Sequence, residues 1–143
     1  MNTRRFDARI AEFDAMRGFI EASAGPMGKE DQMRVILLVE ELFANSVTHG
    51  YGGDCDKPVW LSMDVTSQAC RVVYEDEAPE YDPFASPDRA LRDGAIEDRP
   101  IGGLGIVLLT EMSSTHSYSR RGARNIIQFE LPLGPGPGSA TCV

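Results

Sequence analysis

The sequence predicts an α+β protein, a two-layer sandwich with helices stacked on one face of a mostly antiparallel, mixed sheet. Three observations carry that expectation. Apolar residues repeat with helical spacing through the first third of the chain. They alternate with polar residues in two later pairs of segments, and a glycine-rich apolar helix separates those pairs. With 143 residues, the chain is long enough for one domain that buries about two-thirds of its unfolded surface.

Each element follows from its local pattern. In "RIAEFDAMRGFIEASAG", Ile10, Phe13, Met16, Phe19 and Ile20 line one side of a helix that stops at Gly25-Pro26. A second helix is expected from Lys29 to Val47, with Met33, Ile36, Leu37, Val39 and Leu42 to Ala44 supplying apolar contacts and Gly50 supplying a stop. Val59, Leu61, Met63 and Val65, then Cys70, Val72 and Tyr74, alternate as the buried face of a hairpin requires. An irregular stretch from Glu77 to Pro100 follows, and then "GGLGIVLLTEMSS" reads as a helix with a glycine-rich start. "THSYSRRGARNIIQFELPL" reads as a second hairpin turning near Gly122, with Ile127, Phe129 and Leu131 facing inward. These elements make one domain over 1–133. The Gly- and Pro-rich tail, 134–143, has nothing to bury and is expected to be disordered.

Composition narrows the function. A formal charge of -8 and a pI near 4.7 argue against a nucleic-acid binder, which concentrates Lys and Arg on one face. A small anionic ligand held by local donors and a metal remains compatible. Cys55, Cys70 and Cys142 are odd in number and lack metal-ligand spacing, and neither a signal peptide nor an 18-residue apolar run is present. The expectation is a reduced, cytoplasmic protein with no membrane segment.

Three segments carry polar chemistry beside the core. In "VEELFANSVTHGYGG", Glu41, Asn45 and His49 are four residues apart, so on an α-helix they share a slowly drifting stripe that one ligand can touch. The blander reading is the solvated edge of an amphipathic helix. In "EDEAPEYDPF", Asp76 ends a strand before a proline-containing turn, where a carboxylate more commonly caps the turn. In "RPIGGLGIVLL", Gly102, Gly103 and Gly105 stand at the mouth of a helix, where free amides and the helix dipole favour an anion, although glycines there also simply pack. No following lysine makes this a P-loop.

Taken together, in this order and spacing, the three segments resemble the histidine-kinase-like ATPase superfamily, and more narrowly its bacterial anti-sigma-factor serine/threonine kinase branch. "EELFANSVTHGY" looks like that family's N-box, "EDEAPEYDPF" its first glycine box, "RPIGGLGIVLLTEM" its second, and "YSRRGARNIIQFELPL" its closing hairpin. The resemblance runs from the first helix to Leu133 and implies the Bergerat ATP-binding fold, with ATP and Mg²⁺ as cofactors.

It also implies roles. Asn45 would hold Mg²⁺ through its amide oxygen, Glu41 would be the catalytic base toward an attacking hydroxyl, and Asp76 would accept the adenine amino proton. Gly102, Gly103, Leu104 and Gly105 would set backbone amides against the phosphates, and the stretch from Ala85 to Pro100 would be a short lid. His49 and Arg99 are further phosphate candidates, and Asn125 would line the adenine pocket. Ala78 departs from the pattern, because the first box normally carries glycine there. A positive φ at that position would strain alanine by about 1 kcal/mol. His49 and His116 fall in the N-box and in a hairpin strand, so autophosphorylation on histidine is not expected.

The implied function is a kinase that phosphorylates Ser or Thr on a small STAS-type anti-anti-sigma protein and sequesters a sigma factor in its absence. The alternatives are a non-catalytic nucleotide-binding module that works through protein contacts, or a detached catalytic domain of a histidine-kinase system. The resemblance leaves a homodimer open, with two-fold pairing as its simplest form.

Overall fold

The structure, a computed structural model, describes residues 1–85 and 103–134. Chain order is β1 (Asn2–Asp7), a 3-10 turn (Ile10–Glu12), α1 (Phe13–Ala22), α2 (Lys29–Asn45), a π-helical turn (Ser46–Gly50), β2 (Pro58–Val65), β3 (Ala69–Asp76), α3 (Gly103–Met112), β4 (Thr115–Arg121) and β5 (Arg124–Pro132). The five strands form one sheet in the order β1-β2-β3-β5-β4, and all four pairings are antiparallel rather than mixed. It is an open α+β arrangement, with the helices packed on one face of the sheet.

Alternation in the strands makes that face apolar. Leu61 on β2, Tyr74 on β3 and Ile127 on β5 stand side by side in register, as do Met63, Val72 and Phe129. All are buried, together with Met16 and Ile20 of α1, Val35, Leu38, Val39 and Leu42 of α2, and Ile106 and Leu109 of α3. The opposite face carries ion pairs and stacking. The Arg124 guanidinium lies 3.6 Å over the Trp60 ring and pairs with Glu75 at 3.2 Å.

The second hairpin turns where expected. Arg121 pairs with Arg124, which leaves Gly122 and Ala123 as a two-residue loop, and Gly122 takes φ 61, the left-handed first position that such loops reserve for glycine.

Three expectations need correction, and one strand was not foreseen. The strand β1 was not legible, because "NTRRFD" buries only Phe6; an edge strand is held by backbone bonds on one side and needs no alternating pattern. Ile10 lies in the 3-10 turn and is 52% exposed rather than on a helix. Met33 and Leu37, expected as core contacts, are 53% and 47% exposed, because the stripe of α2 that meets the sheet is the narrower set from Val35 to Phe43. The α-helix also ends at Asn45 instead of Val47. There the Thr48 hydroxyl donates to the Ala44 carbonyl and competes with the α ladder, while the Tyr51 amide reaches back five residues to the Ser46 carbonyl at 2.7 Å.

Buried and exposed positions on α2 should separate cleanly in chemical denaturation. Phe43→Ala removes a ring 1% exposed that packs 6.2 Å from Phe13, and should lower stability by about 3–5 kcal/mol. Leu37→Ala should stay within about 0.5 kcal/mol of wild type. Equal losses would mean that the helix is rotated from this packing.

Candidate functional site

The π turn sets the site's geometry. Asn45 is the last residue of the α-helix, half-buried, and Ser46 is the first of the wider turn. His49, four residues beyond Asn45 on that turn, is exposed. Ser46 itself is buried and faces the end of β3.

There it meets Asp76. Register places Asp76 opposite Asn125, and the Asn125 amide donates to Asp76 Oδ1 at 2.8 Å. The Ala78 amide donates to the same oxygen at 3.2 Å, and the Ser46 hydroxyl donates to Oδ2 at 2.6 Å. A carboxylate only 8% exposed requires such donors, since burying an unpaired charge costs far more than a typical hydrogen bond contributes. The turn-capping role is therefore present, but it occupies only part of the group.

Asn125 in turn ties down the chain that leaves β3. Its amide also donates to the carbonyls of Ala78 and Pro79, each at 3.1 Å. Its carbonyl accepts from the Tyr118 hydroxyl at 2.6 Å, from Arg120 at 3.1 Å and from the Tyr81 amide at 3.3 Å. Arg120 reaches the Ala78 carbonyl as well, at 2.8 Å. On the other side of Asp76, the Tyr51 hydroxyl accepts from the Glu77 amide and donates to the Pro58 carbonyl, both at 2.7 Å. Burial pushes the Tyr51 phenol up to about 12, against the Glu77 hydrogen bond that pulls it down, so it keeps its proton.

Glu41 receives the opposite treatment. Burial raises its pKa, the neighbouring Glu40 adds to the rise, and among the described residues neither a hydrogen bond nor a cation offsets them. The start of α3 lies against it: a Cβ on Gly105 would fall 1.8 Å from Glu41 Cγ and 2.6 Å from its Cβ. Only glycine allows the two helices to cross there. A carboxylate perturbed in this way, against the first turn of a helix and without a partner among the described residues, suits an acid or base.

The structure thus brings Glu41 and Gly105 together, and Asp76, Ala78 and Asn125 together, with Asn45 at the end of α2 just before Ser46. Gly103 opens α3, and Leu104 is 54% exposed beside it. Arg99, Gly102 and nearly all of the expected lid lie outside the described residues, as does the tail beyond Gly134. The strain expected at Ala78 is absent: among the described residues only glycines have positive φ. Ser46, Tyr74, Tyr118 and Arg120 were not singled out as site residues, although Ser46, Tyr118 and Arg120 lie within the quoted motifs. Period two does place Tyr74 beside Asp76, and a buried tyrosine hydroxyl always needs a partner.

A family model described as the histidine kinase-like ATPase domain matches residues 6–131. The chain belongs to that family. Histidine kinase-like ATPase domains that have been solved share its fold at low identity. The histidine kinase domain of the blue-light activated histidine kinase from Erythrobacter litoralis EL346 is 19% identical, with 90% of this chain and 62% of that one covered and a TM-score of 0.53. A nucleotide-free catalytic domain of histidine kinase ThkA is 13% identical, with 94% and 99% covered and the same TM-score. This chain therefore spans less than two-thirds of the first of these. No curated protein matches it closely enough to count as a relative. Among the described residues no helix is long and apolar enough to cross a membrane.

Two substitutions in this ATPase-type domain test the crossing of α2 and α3. Gly105→Ala should cost about 1–3 kcal/mol, because Glu41 must yield at its Cβ and not merely at its tip. Glu41→Gln should do the reverse. A raised carboxylate pKa means that the folded state is penalised above the ordinary glutamate range and is relieved as pH falls through it. The glutamine variant should therefore melt higher than wild type at pH 7, with the difference closing toward pH 4. Melting curves across that range check it, and a difference independent of pH would remove the desolvation account.

Proposed function

We propose that this domain binds Mg-ATP with its adenine at Asp76 and acts as a serine/threonine kinase of the anti-sigma type. The acceptor would be a hydroxyl of a small STAS-type anti-anti-sigma protein, with a sigma factor sequestered in its absence. The observation that carries the reading is the contrast between its two carboxylates. Asp76 takes three donors from the protein and suits recognition, whereas Glu41 is desolvated without compensation among the described residues and suits proton abstraction.

The residues fit the implied metal. Among the described residues no cluster of three or more His, Cys, Asp or Glu could hold a cation. Mg²⁺ needs no such cage, because it keeps waters and phosphate oxygens and takes one or two hard protein ligands. Asn45, half-buried at the helix end, has the amide oxygen for that. When bound, the ion would neutralise the charge of the phosphates being separated. Gly103 and Gly105 leave the amides of the first turn of α3 open to an anion, and the dipole of that helix favours it. Glu41 would accept the proton of the attacking hydroxyl as the new O–P bond forms and the bond to the departing ADP breaks. Its raised pKa moves it toward the value a base needs near neutral pH.

Phosphorylation of the domain's own histidines is disfavoured by where they lie. His49 is exposed on the π turn, and His116 is on edge strand β4 with its ring 4.7 Å from Phe84. The competing reading, the catalytic half of a histidine-phosphorylating system, rests on likeness of fold alone.

Mg-ATP at about 100 times its dissociation constant should add about 2.7 kcal/mol, or roughly 5 to 11 °C in melting temperature, and Mg-GTP should add little. Equal shifts with both would refute the adenine assignment. Asn45→Ala should lose Mg²⁺-dependent affinity and phosphoryl transfer together. Glu41→Gln should keep ATP affinity while radiolabel transfer to a copurifying partner slows by about 10² to 10⁴. Label that transfers equally fast removes Glu41 as base, and label that never transfers from wild type leaves a binding module.

A further inference from the structure

Tyr74, buried on β3 two residues before Asp76, places its hydroxyl 2.6 Å from the Ser46 hydroxyl and 3.2 Å from the Leu42 carbonyl. The number of protons settles the direction of these bonds. Ser46 has one hydroxyl proton, and Asp76 Oδ2 at 2.6 Å can only accept it when ionised. Ser46 Oγ must then accept from Tyr74. The Leu42 carbonyl does not need the phenol, because the Ser46 amide already donates to it in the last turn of α2. The result is a chain of donors that runs one way, Tyr74 to Ser46 to Asp76. Burial raises the Tyr74 phenol well above its usual range, so its proton stays in place.

The same count applies to Asp76. An ionised carboxylate accepts at about four sites, two on each oxygen. Oδ1 takes Asn125 and Ala78, which fills it, and Oδ2 takes Ser46. About one acceptor site remains, and it lies on the oxygen that Ser46 holds. Ser46 cannot drift, because its amide is bonded to Leu42 and Phe43 and its carbonyl accepts from the Tyr51 amide at 2.7 Å.

Resting on the adenine assignment made above, we infer that Tyr74 and Ser46 are positioning residues that leave Asp76 one aimed acceptor site. That site discriminates a purine bearing a 6-amino group from one without it. Asn125 and Ala78 orient the carboxylate from the sheet, and the Tyr74–Ser46 chain orients it from the helix layer. With the Ser46 hydroxyl removed, Oδ2 has two open sites and, among the described residues, no remaining donor to select between them.

The test compares two probes, Mg²⁺ with ATP and Mg²⁺ with the triphosphate of purine riboside, which lacks only the 6-amino group. Dissociation constants for both are measured by calorimetry on wild type, Ser46→Ala, Ser46→Thr, Tyr74→Phe and Ser46→Ala/Tyr74→Phe, with folding checked by circular dichroism. Wild type should prefer ATP, and Ser46→Ala should reduce that preference by about tenfold, the value of one hydrogen bond to a charged group. Ser46→Thr, which keeps the hydroxyl, should restore it. Tyr74→Phe should reduce the preference less, and the double variant should match Ser46→Ala, because Tyr74 acts only through Ser46. If Ser46→Ala weakens both nucleotides equally, or if the two single effects add, the chain does not position Asp76 and the inference is overturned. If wild type binds both equally, or neither, the adenine assignment itself falls and the inference falls with it. Ser46→Thr also decides the case in which Ser46→Ala fails to fold: a folded Thr variant without the preference overturns the inference.

Discussion

A carboxylate buried at the end of a strand has to be surrounded by donors, and meeting that requirement at Asp76 organises much of this molecule. No one layer supplies the donors. Asn125 comes from the adjacent strand by register, the Ala78 amide from the turn that follows, and Ser46 from the helix layer. One side chain therefore pins helix to sheet at a single place, and it does so on the edge of the core, where the apolar contacts of α2 with β3 come to an end. Asn125 extends the arrangement outward, since its own carbonyl collects Tyr118, Arg120 and the Tyr81 amide and so holds the departing chain against β4. Buried polar groups joined in this way strengthen one another and specify one geometry, where apolar packing would tolerate several.

Glu41 shows that the donors around Asp76 are not a general consequence of burial. It lies on α2, one turn before Asn45, and the described residues give it no compensation: burial and Glu40 raise its pKa together. Natural packing usually avoids this combination, and Gly105 shows how closely the second helix approaches in spite of it. A destabilised carboxylate beside a well-satisfied one is the pattern in which two chemically identical groups take different tasks. It also explains the sign of the expected exchange between stability and activity, because the charge that penalises the folded state is the one a proton acceptor requires.

Most of the fold was legible in the sequence because its signals are periodic. Alternation in β2, β3 and β5 and the glycine at the β4–β5 turn each reflect one dominant force acting over several residues, and the inward positions Ile127, Phe129 and Leu131 follow directly. What escaped was held by backbone or by single contacts. Edge strand β1 offers only Phe6 to the core. Met33 and Leu37 fall just outside a stripe whose width depends on how α2 tilts against the sheet. In the site, spacing picked out Glu41, Asn45 and His49, a strand end picked out Asp76, and Asn125 came with the resemblance, but the change from α to π hydrogen bonding after Asn45 left no periodic signal, since it is decided by local competition such as the Thr48 hydroxyl against the ladder. Ser46 and Tyr74 were invisible for the same reason: each reads alone as a helix-end polar residue or a core aromatic, and only the register of strand and turn makes them neighbours.

Ala78 illustrates how a departure from a motif is absorbed. Glycine at such a place provides either a left-handed backbone or room for something close. Here the backbone has no positive φ, so the first need does not arise. The second is met from across the gap: a Cβ on Gly50 would lie 2.9 Å from the Ala78 Cβ, closer than two such atoms can sit. The close approach of the π turn to the chain after β3 thus survives with one methyl and one hydrogen facing each other, the hydrogen being on Gly50. The methyl is buried, and the Ala78 amide and carbonyl still serve Asp76, Asn125 and Arg120. A pattern that looks incomplete along the sequence is complete in the pair, and the turn beside Asp76 needs its glycine on only one side.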